Sequence, residues 1–355
     1  MIQIPSKTKV VIIGGGQAGL AVGYFLRRTD IGFVILDNQA EPGGAWLHAW
    51  RSLQLFSPSE YSSLPGWGFP KTKKSYPDRE EVIEYLRAYE KRYEFPIKRS
   101  VSAQSVTRRN SGLLIETNHG SIEASAVVSC TGTWENPYIP SYPCKNEFLG
   151  TQIHSAHYYE PMDFTSKKIL IVGGGNSGAQ IFAEVSRVTD ATWVTEREPT
   201  FLPDDVDGRV LFHVATQRYQ ARLEGRSDKA ILSLGDIVMV DSVKEARSRG
   251  ILKTKRPFSR FTSSGVVWPD GTEEAFDVII WCTGFRPALH HLKVLGIENE
   301  DKQIEMSGTR AVSEPRLWLV GYGEWTGFGS ATLIGVQRYA RSTVVEIQDY
   351  LGSRR

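Results

Sequence analysis

One glycine pattern is written twice in this chain, as Gly14-Gly15-Gly16-Gln17-Ala18-Gly19 and again as Gly173-Gly174-Gly175-Asn176-Ser177-Gly178. Each copy follows a short apolar run, Lys9 to Ile13 and Lys168 to Val172, and precedes a stretch with helical composition. The first such stretch is expected to run to about Thr29, the second from Ala179 to Val188. A further buried strand follows each, Phe33 to Leu36 and Thr192 to Thr195. Strand, glycine turn, helix, strand is the setting in which a GxGxxG carries meaning. Backbone amides at a helix start, with the positive end of its dipole, can hold a pyrophosphate without any cationic side chain.

Within each loop the glycines have separate tasks. Gly14 makes the turn, Gly16 admits the phosphates and Gly19 lets helix and strand pack; Gly173, Gly175 and Gly178 repeat the spacing. Asp37 ends the second strand, where a carboxylate can accept hydrogen bonds from a ribose. After the corresponding strand of the second copy stands Glu196-Arg197. Glu196 suits a free 2′-hydroxyl and Arg197 a 2′-phosphate, with NADPH the favoured reading and NADH the alternative. Two such turns in one chain suit an enzyme that sets a flavin against a nicotinamide.

The remaining pattern gives an α/β fold of two nested, Rossmann-like dinucleotide-binding domains. Asp78 with Glu81 reads as a capping box ahead of a helix from Arg79 to Tyr93. Leu113 to Thr117 and Ile122 to Cys130 read as strands, the second ending in Thr131-Gly132. Asp277 to Trp281 is a buried strand ending in Cys282-Thr283-Gly284, an echo of Cys130-Thr131-Gly132. Pro137, Pro140 and Pro143 interrupt regular structure between the copies. A strand at Leu317 to Gly321 and a helix carrying Leu333, Val336, Ala340, Val344 and Ile347 on one face have no glycine turn of their own. They are therefore given to the first domain, which becomes discontinuous: 1–160 with 286–355, around a second domain at 161–285.

A length of 355 residues suits two cores. A net charge of +2 is too balanced for nucleic-acid binding. Three cysteines without metal or disulfide spacing, no long apolar run and no room for a leader before the first strand lead to the expectation of a soluble cytoplasmic protein without a metal site or membrane partner. Oligomeric state stays open, a homodimer being compatible.

The chain resembles the class B flavin monooxygenases over nearly its whole length. Phe148-Leu149-Gly150-Thr151-Gln152-Ile153-His154-Ser155-Ala156-His157-Tyr158 matches that family's FxGxxxHxxxY signature. Tyr158 stands where the Baeyer–Villiger members have Trp, which tilts the likeness toward heteroatom oxygenation. Gly43-Gly44-Ala45-Trp46 is similar to the flavin-contacting GGxW segment, and Asp277 to Phe285 to the ATGY linker, with Cys282 in place of alanine. Within the class, Leu55-Phe56-Ser57-Pro58, Ser62 to Trp67, Asp204 to Phe212, Gly235 to Val240 and Ser330 to Gly335 resemble the ArsO-type enzymes of bacterial arsenic-resistance operons.

The resemblance implies that NADPH reduces FAD, that reduced flavin and O2 deliver one oxygen atom to a small nucleophilic substrate, and that organoarsenical or antimony species are the preferred guess. It assigns Gly14, Gly16, Gln17, Ala18, Gly19, Asp37, Gly44, Trp46, Val101, Thr131, Gly132 and Thr332 to FAD. To NADP it assigns Gly173, Gly175, Asn176, Ser177, Gly178, Glu196, Arg197, Cys282, Thr283 and Gly284. Thr332, near the start of the last helix, is expected to aim its N–H at the flavin ring. Many relatives place an Asn where this chain has Phe56; Ser57 or Gln54 could replace it as the donor supporting oxygen transfer. For His154 and Tyr158 it implies a hinge or cofactor-positioning role rather than acid-base catalysis, and His157 reads as a surface residue.

Cys130 and Cys282 read as core residues rather than a thiolate site, and Asp204, Asp205 and Asp207 as capping or solvated charges. A disulfide reductase would need a cysteine pair that the spacing does not offer. A peroxide-forming NAD(P)H oxidase or a flavin redox sensor remains the alternative.

Overall fold

A computed structural model describes residues 2–72, 74–224, 236–299 and 303–352. Gly235 of the arsenic-type segment lies outside them, as do the chain's two extreme ends.

The first sheet grows from β1 (Lys7–Ile13), after which the glycine turn leads into α1 (Gln17–Leu26) and β2 (Phe33–Leu36). α2 (Arg79–Tyr93) leads to β3 (Ile97–Lys98), and a meander follows: β4 (Ala103–Arg108), β5 (Leu113–Thr117) and β6 (Gly120–Ser129). β2 and β6 flank β1 in parallel, and β3 continues beyond β2. The early half of β6 pairs antiparallel with β5, so the meander leaves the sheet where the parallel pairing takes over.

The chain then builds a second sheet from β7 (Thr151–His154), β8 (Ile169–Val172), α3 (Asn176–Val185) and β9 (Ala191–Val194). α4 (Gly208–Leu223), α5 (Asp241–Ser248) and β10 (Thr254–Lys255) come next. Three short antiparallel strands follow, β11 (Arg260–Phe261), β12 (Gly265–Val267) and β13 (Glu273–Ala275), before β14 (Val278–Trp281). The order β10-β9-β8-β14-β7 is parallel throughout. β7 lies ahead of the expected boundary at 160 and pairs in this second sheet.

The tail returns to the first sheet. β15 (Met306–Ser307), β16 (Arg310–Ala311) and β17 (Leu317–Leu319) extend it beyond β6, and α6 (Val336–Gly352) shares a core with α1.

β8 and β14 are buried at every position, as parallel strands covered on both faces must be. Trp193 of β9, Trp281 of β14 and Trp318 of β17 are fully buried, and burying a large apolar side chain contributes about 1.5–3 kcal/mol. The capping box of α2 forms as read: the Glu81 amide donates to Asp78, and the Asp78 amide donates to Glu81. α1 stops at Leu26 rather than Thr29, because the Thr29 amide and hydroxyl both turn back onto the Leu26 carbonyl. α3 stops at Val185, where the Ser186 hydroxyl donates to the Ala183 carbonyl. Among the described residues no helix is long and apolar enough to cross a membrane.

Candidate functional site

The two glycine turns share one construction. A Cβ on Gly14 would fall 2.5 Å from the Cys130 carbonyl oxygen, and one on Gly173 2.1 Å from that of Cys282. Both residues have positive φ, 105° and 138°. Side chains are thus barred there by strain and by the neighbouring strand end. Gly19 and Gly178 close the helices onto their own turns, each Cβ position lying about 2 Å from the Gly14 or Gly173 carbonyl oxygen (1.9 and 2.1 Å). Gly175 faces open space, and Gly16 meets only the Gly44 backbone.

Neither α1 nor α3 has a side-chain cap or an acidic residue in its first turn. This contrasts with α2, whose amides are met by its own acids. Both turns therefore have the open cradle and the free positive helix end that a pyrophosphate needs. Among the described residues the buried Thr195 hydroxyl beside Gly174 has no hydrogen-bond partner, so the second turn also keeps an unused polar group.

The residues after the second strand differ. Asp37 is 3% exposed; it takes the Gly15 amide at 2.6 Å, the Gln39 amide at 2.7 Å and the Arg99 guanidinium at 3.1 Å. Burial pushes its carboxyl up, against the Gln39 amide, Arg99 and the Gly15 amide. Three donors occupy most of its acceptor capacity, so Asp37 braces the turn as well as facing the groove. Glu196 and Arg197 are both exposed. Sequence reading missed the neighbouring basic residues: β10 pairs with β9 and brings Lys255 and Arg256 to the same strand end. Arg256 pairs with Glu198 at 3.3 Å.

One groove runs from the first turn past Asp37, Gly44, Trp46, Val101, Thr131 and Gly132. The Val101 amide is itself spent on the Asp37 carbonyl. A second cleft, of about 330 Å³, adjoins it, with Gln17, Trp46, Trp134 and Ala331 lining both. The Gln17 amide ties these parts together, donating to the Ala331 carbonyl at 2.5 Å and accepting from the Trp46 indole at 3.5 Å. Asn176, Ser177 and Gln180 of α3 form the opposite wall, and Trp50, Leu53, Phe56, Phe212 and Phe285 supply apolar surface. No charged side chain among the described residues lines this cleft.

Both expected donors reach the cleft. Gln54 is exposed and has no hydrogen-bond partner among the described residues, whereas the Ser57 hydroxyl is buried and shared with Ser62 at 2.9 Å. Asn176 spends its amide on Asp236 and Val238, 3.0 and 2.8 Å away, and so orders that loop.

The expectation for Thr332 is corrected. Its N–H donates to the Gly329 carbonyl at 3.0 Å, and α6 begins only at Val336. The Thr332 hydroxyl instead closes the preceding turn, between Gly329 and the Gly335 amide. Trp50 and Gln180 were not singled out from sequence, since nothing local marks a residue that tertiary folding carries to a cleft.

Two crossings join the sheets. His154 accepts the Ala156 amide on Nδ1, so Nε2 carries the proton and donates to the Gly284 carbonyl at 3.0 Å. Burial lowers its pKa, keeping it neutral. Thr283 donates to the Tyr138 carbonyl, and His157 is exposed. Cys130 and Cys282 are buried and Cys144 exposed, all three free; burial pushes the first two thiols up. Asp204 pairs with Arg247 and Asp207 with Arg209 and Tyr76, so these carboxylates face separate partners.

Residues 11–321 match the family model of the pyridine nucleotide-disulphide oxidoreductases, and the chain belongs to that family. It is an FAD-dependent oxidoreductase. It is 49% identical to a flavin-containing monooxygenase from Stenotrophomonas maltophilia whose solved structure superposes with a TM-score of 0.89, covering 98% of this chain and 100% of that one. It is 30% identical over 340 residues to the oxidoreductase CzcO of Bacillus subtilis, 95% of this chain and 98% of the relative. The indole-3-pyruvate monooxygenase YUCCA1 of rice is 23% identical over 95% of this chain and 90% of its own.

Proposed function

We propose that the protein is an NADPH-dependent class B flavin monooxygenase that places one oxygen atom of O2 on a small nucleophilic heteroatom. The observation that carries this reading is the uncharged, aromatic cleft held between two open phosphate cradles. The similarity to the Stenotrophomonas enzyme supports it. The division into an outer domain closed by 286–355 and an inner domain ending at 285 is part of the proposal, with the first boundary moved from 160 to just before β7, which joins the inner sheet.

FAD, when bound, supplies the chemistry of accepting hydride and activating dioxygen. The chain supplies place and shelter. The α1 amides and Gly16 would hold its pyrophosphate, with Asp37, Val101, Thr131 and Gly132 along the groove and Gly44 and Trp46 by the ring. Gly173, Gly175, Ser177 and Gly178 would hold NADP, with Cys282, Thr283 and Gly284 along its far side. Arg197 would meet the 2′-phosphate, as a guanidinium does best. Trp50, Phe56 and Phe212 exclude water from the cleft, and Gln54 offers the free amide that orients the reacting oxygen.

Trivalent arsenic and antimony hydroxides are uncharged near neutral pH and nucleophilic at the metalloid, which suits walls without charge. A methylated trivalent arsenical or antimonite is therefore the substrate class proposed, in the manner of the arsenic-operon enzymes. Purified protein is to be supplied with FAD, NADPH and methylated arsenite, antimonite or a thioether, with oxygenated product and hydrogen peroxide both counted. Product formed in step with NADPH supports the reading. Peroxide equal to NADPH with every substrate would make the protein an oxidase instead.

A further inference from the structure

We infer that Glu184 is a positioning residue: it locks the cleft-lining loop of the first sheet and the Tyr158 crossing onto α3, and so fixes how the second cradle faces the cleft. Ser177 and Gln180 of α3 line the cleft, and Glu184 follows Gln180 by one turn on the same face. The helix that starts at the glycine cradle thus ends its inner face on this carboxylate.

Glu184 is 7% exposed and has no ion-pair partner among the described residues. Its two oxygens take different donors: the Ser52 hydroxyl on Oε1, and the Tyr158 hydroxyl on Oε2 at 3.0 Å. Burial raises the Glu184 carboxyl, against the Ser52 and Tyr158 hydroxyls that donate to it. Tyr158 stays a donor, since burial beside Glu184 pushes its phenol far up.

Ser52 sits between Trp50 and Leu53, both of which line the cleft. Around it the loop is fastened to the crossing: the Arg51 amide donates to the Tyr159 carbonyl, and the Arg51 guanidinium pairs with Glu160, each at 3.0 Å. The Tyr158 ring meets Trp50 edge-on and stacks on Phe164. Glu184 does not line the cleft, so it acts through these neighbours and not on reactants. Removing it leaves hydroxyls without an acceptor at a point where loop, crossing and α3 meet on a single group.

The test uses the full-length, FAD-replete protein with Glu184→Gln, Glu184→Leu, Tyr158→Phe and Ser52→Ala. Glu184→Leu is expected to raise KM for NADPH by about tenfold, with several times more peroxide per NADPH, while FAD content and reduction by dithionite stay as in the native chain. Glu184→Gln, which keeps one acceptor oxygen, falls between, and adding Tyr158→Phe to Glu184→Leu causes little further loss. Should Glu184→Leu fail to fold, Ser52→Ala, at an exposed residue, still reads the contact. The inference is overturned if folded variants keep the native KM and peroxide fraction, or if both change only in proportion to lost thermal stability. It rests on the proposed function, the NADPH assignment of the second cradle for the KM readout and the monooxygenase reading for the peroxide readout; a native protein that releases only peroxide would sink the latter and leave the KM test standing.

Discussion

The two glycine turns are near copies in backbone, yet what stands beside each is opposite in character. At the first, a buried carboxylate is pinned by two amides and a guanidinium, and the GGxW segment packs so closely that a Cβ on Gly44 would lie 2.9 Å from Gly16. At the second, the equivalent charges, Glu196 and Arg197, stand in solvent and Gly175 faces open space. A cradle with pinned, closely packed surroundings suits a dinucleotide that stays; one with solvent-exposed surroundings suits a dinucleotide that comes and goes. The same motif can therefore serve a resident cofactor or an exchanging one, and the surroundings decide.

The sharpest way to break this contrast is to fill each cradle. Gly14→Val should yield colourless protein, whereas Gly173→Val should stay yellow but lose more than about 100-fold in NADPH-driven flavin reduction, dithionite reduction being unaffected. Absorbance spectra and stopped-flow rates check both, and equal loss of flavin in the two variants would erase the distinction.

Asp37→Asn should weaken FAD binding by about 10- to 100-fold, since hydrogen bonds to a charged group are lost, while Glu196→Ala should change it less than about twofold. Fluorescence titration of apoprotein separates them. Arg197→Ala should raise KM for NADPH by about tenfold and leave that for NADH nearly unchanged, which steady-state kinetics with both nucleotides will show. An equal change for both would remove Arg197 from the phosphate.

The smallest effect concerns acid. Because burial raises the Asp37 carboxyl, it is the folded state that protonates first as pH falls. This group then adds to fold stability as pH falls through its raised pKa, but gives up acceptor strength toward the flavin nucleotide. FAD affinity of the native protein should therefore weaken in that window, with a smaller slope in Asp37→Asn. Identical slopes would show that another group titrates.

Much of this was legible in residue order. Both cradles, the capping box at Asp78 and the buried strand at 278–281 follow from local chemistry, where spacing and turn type are decided within a few residues. The ends of α2 were legible too, but those of α1 and α3 were not, because single hydroxyls at Thr29 and Ser186 settle them. Nor was the Thr332 amide, whose fate depends on a turn back to Gly329. The cleft wall was least legible: Trp50, Gln180 and Phe212 come from three distant segments, and no pattern within any one of them announces the others.

An anaerobic titration of the yellow protein with NADPH reaches the core of the account. Facing dinucleotides require that flavin absorbance bleach in proportion to nucleotide added, one hydride to one flavin. Protein that binds both yet keeps its oxidised spectrum would contradict the face-to-face arrangement on which the proposed reaction depends.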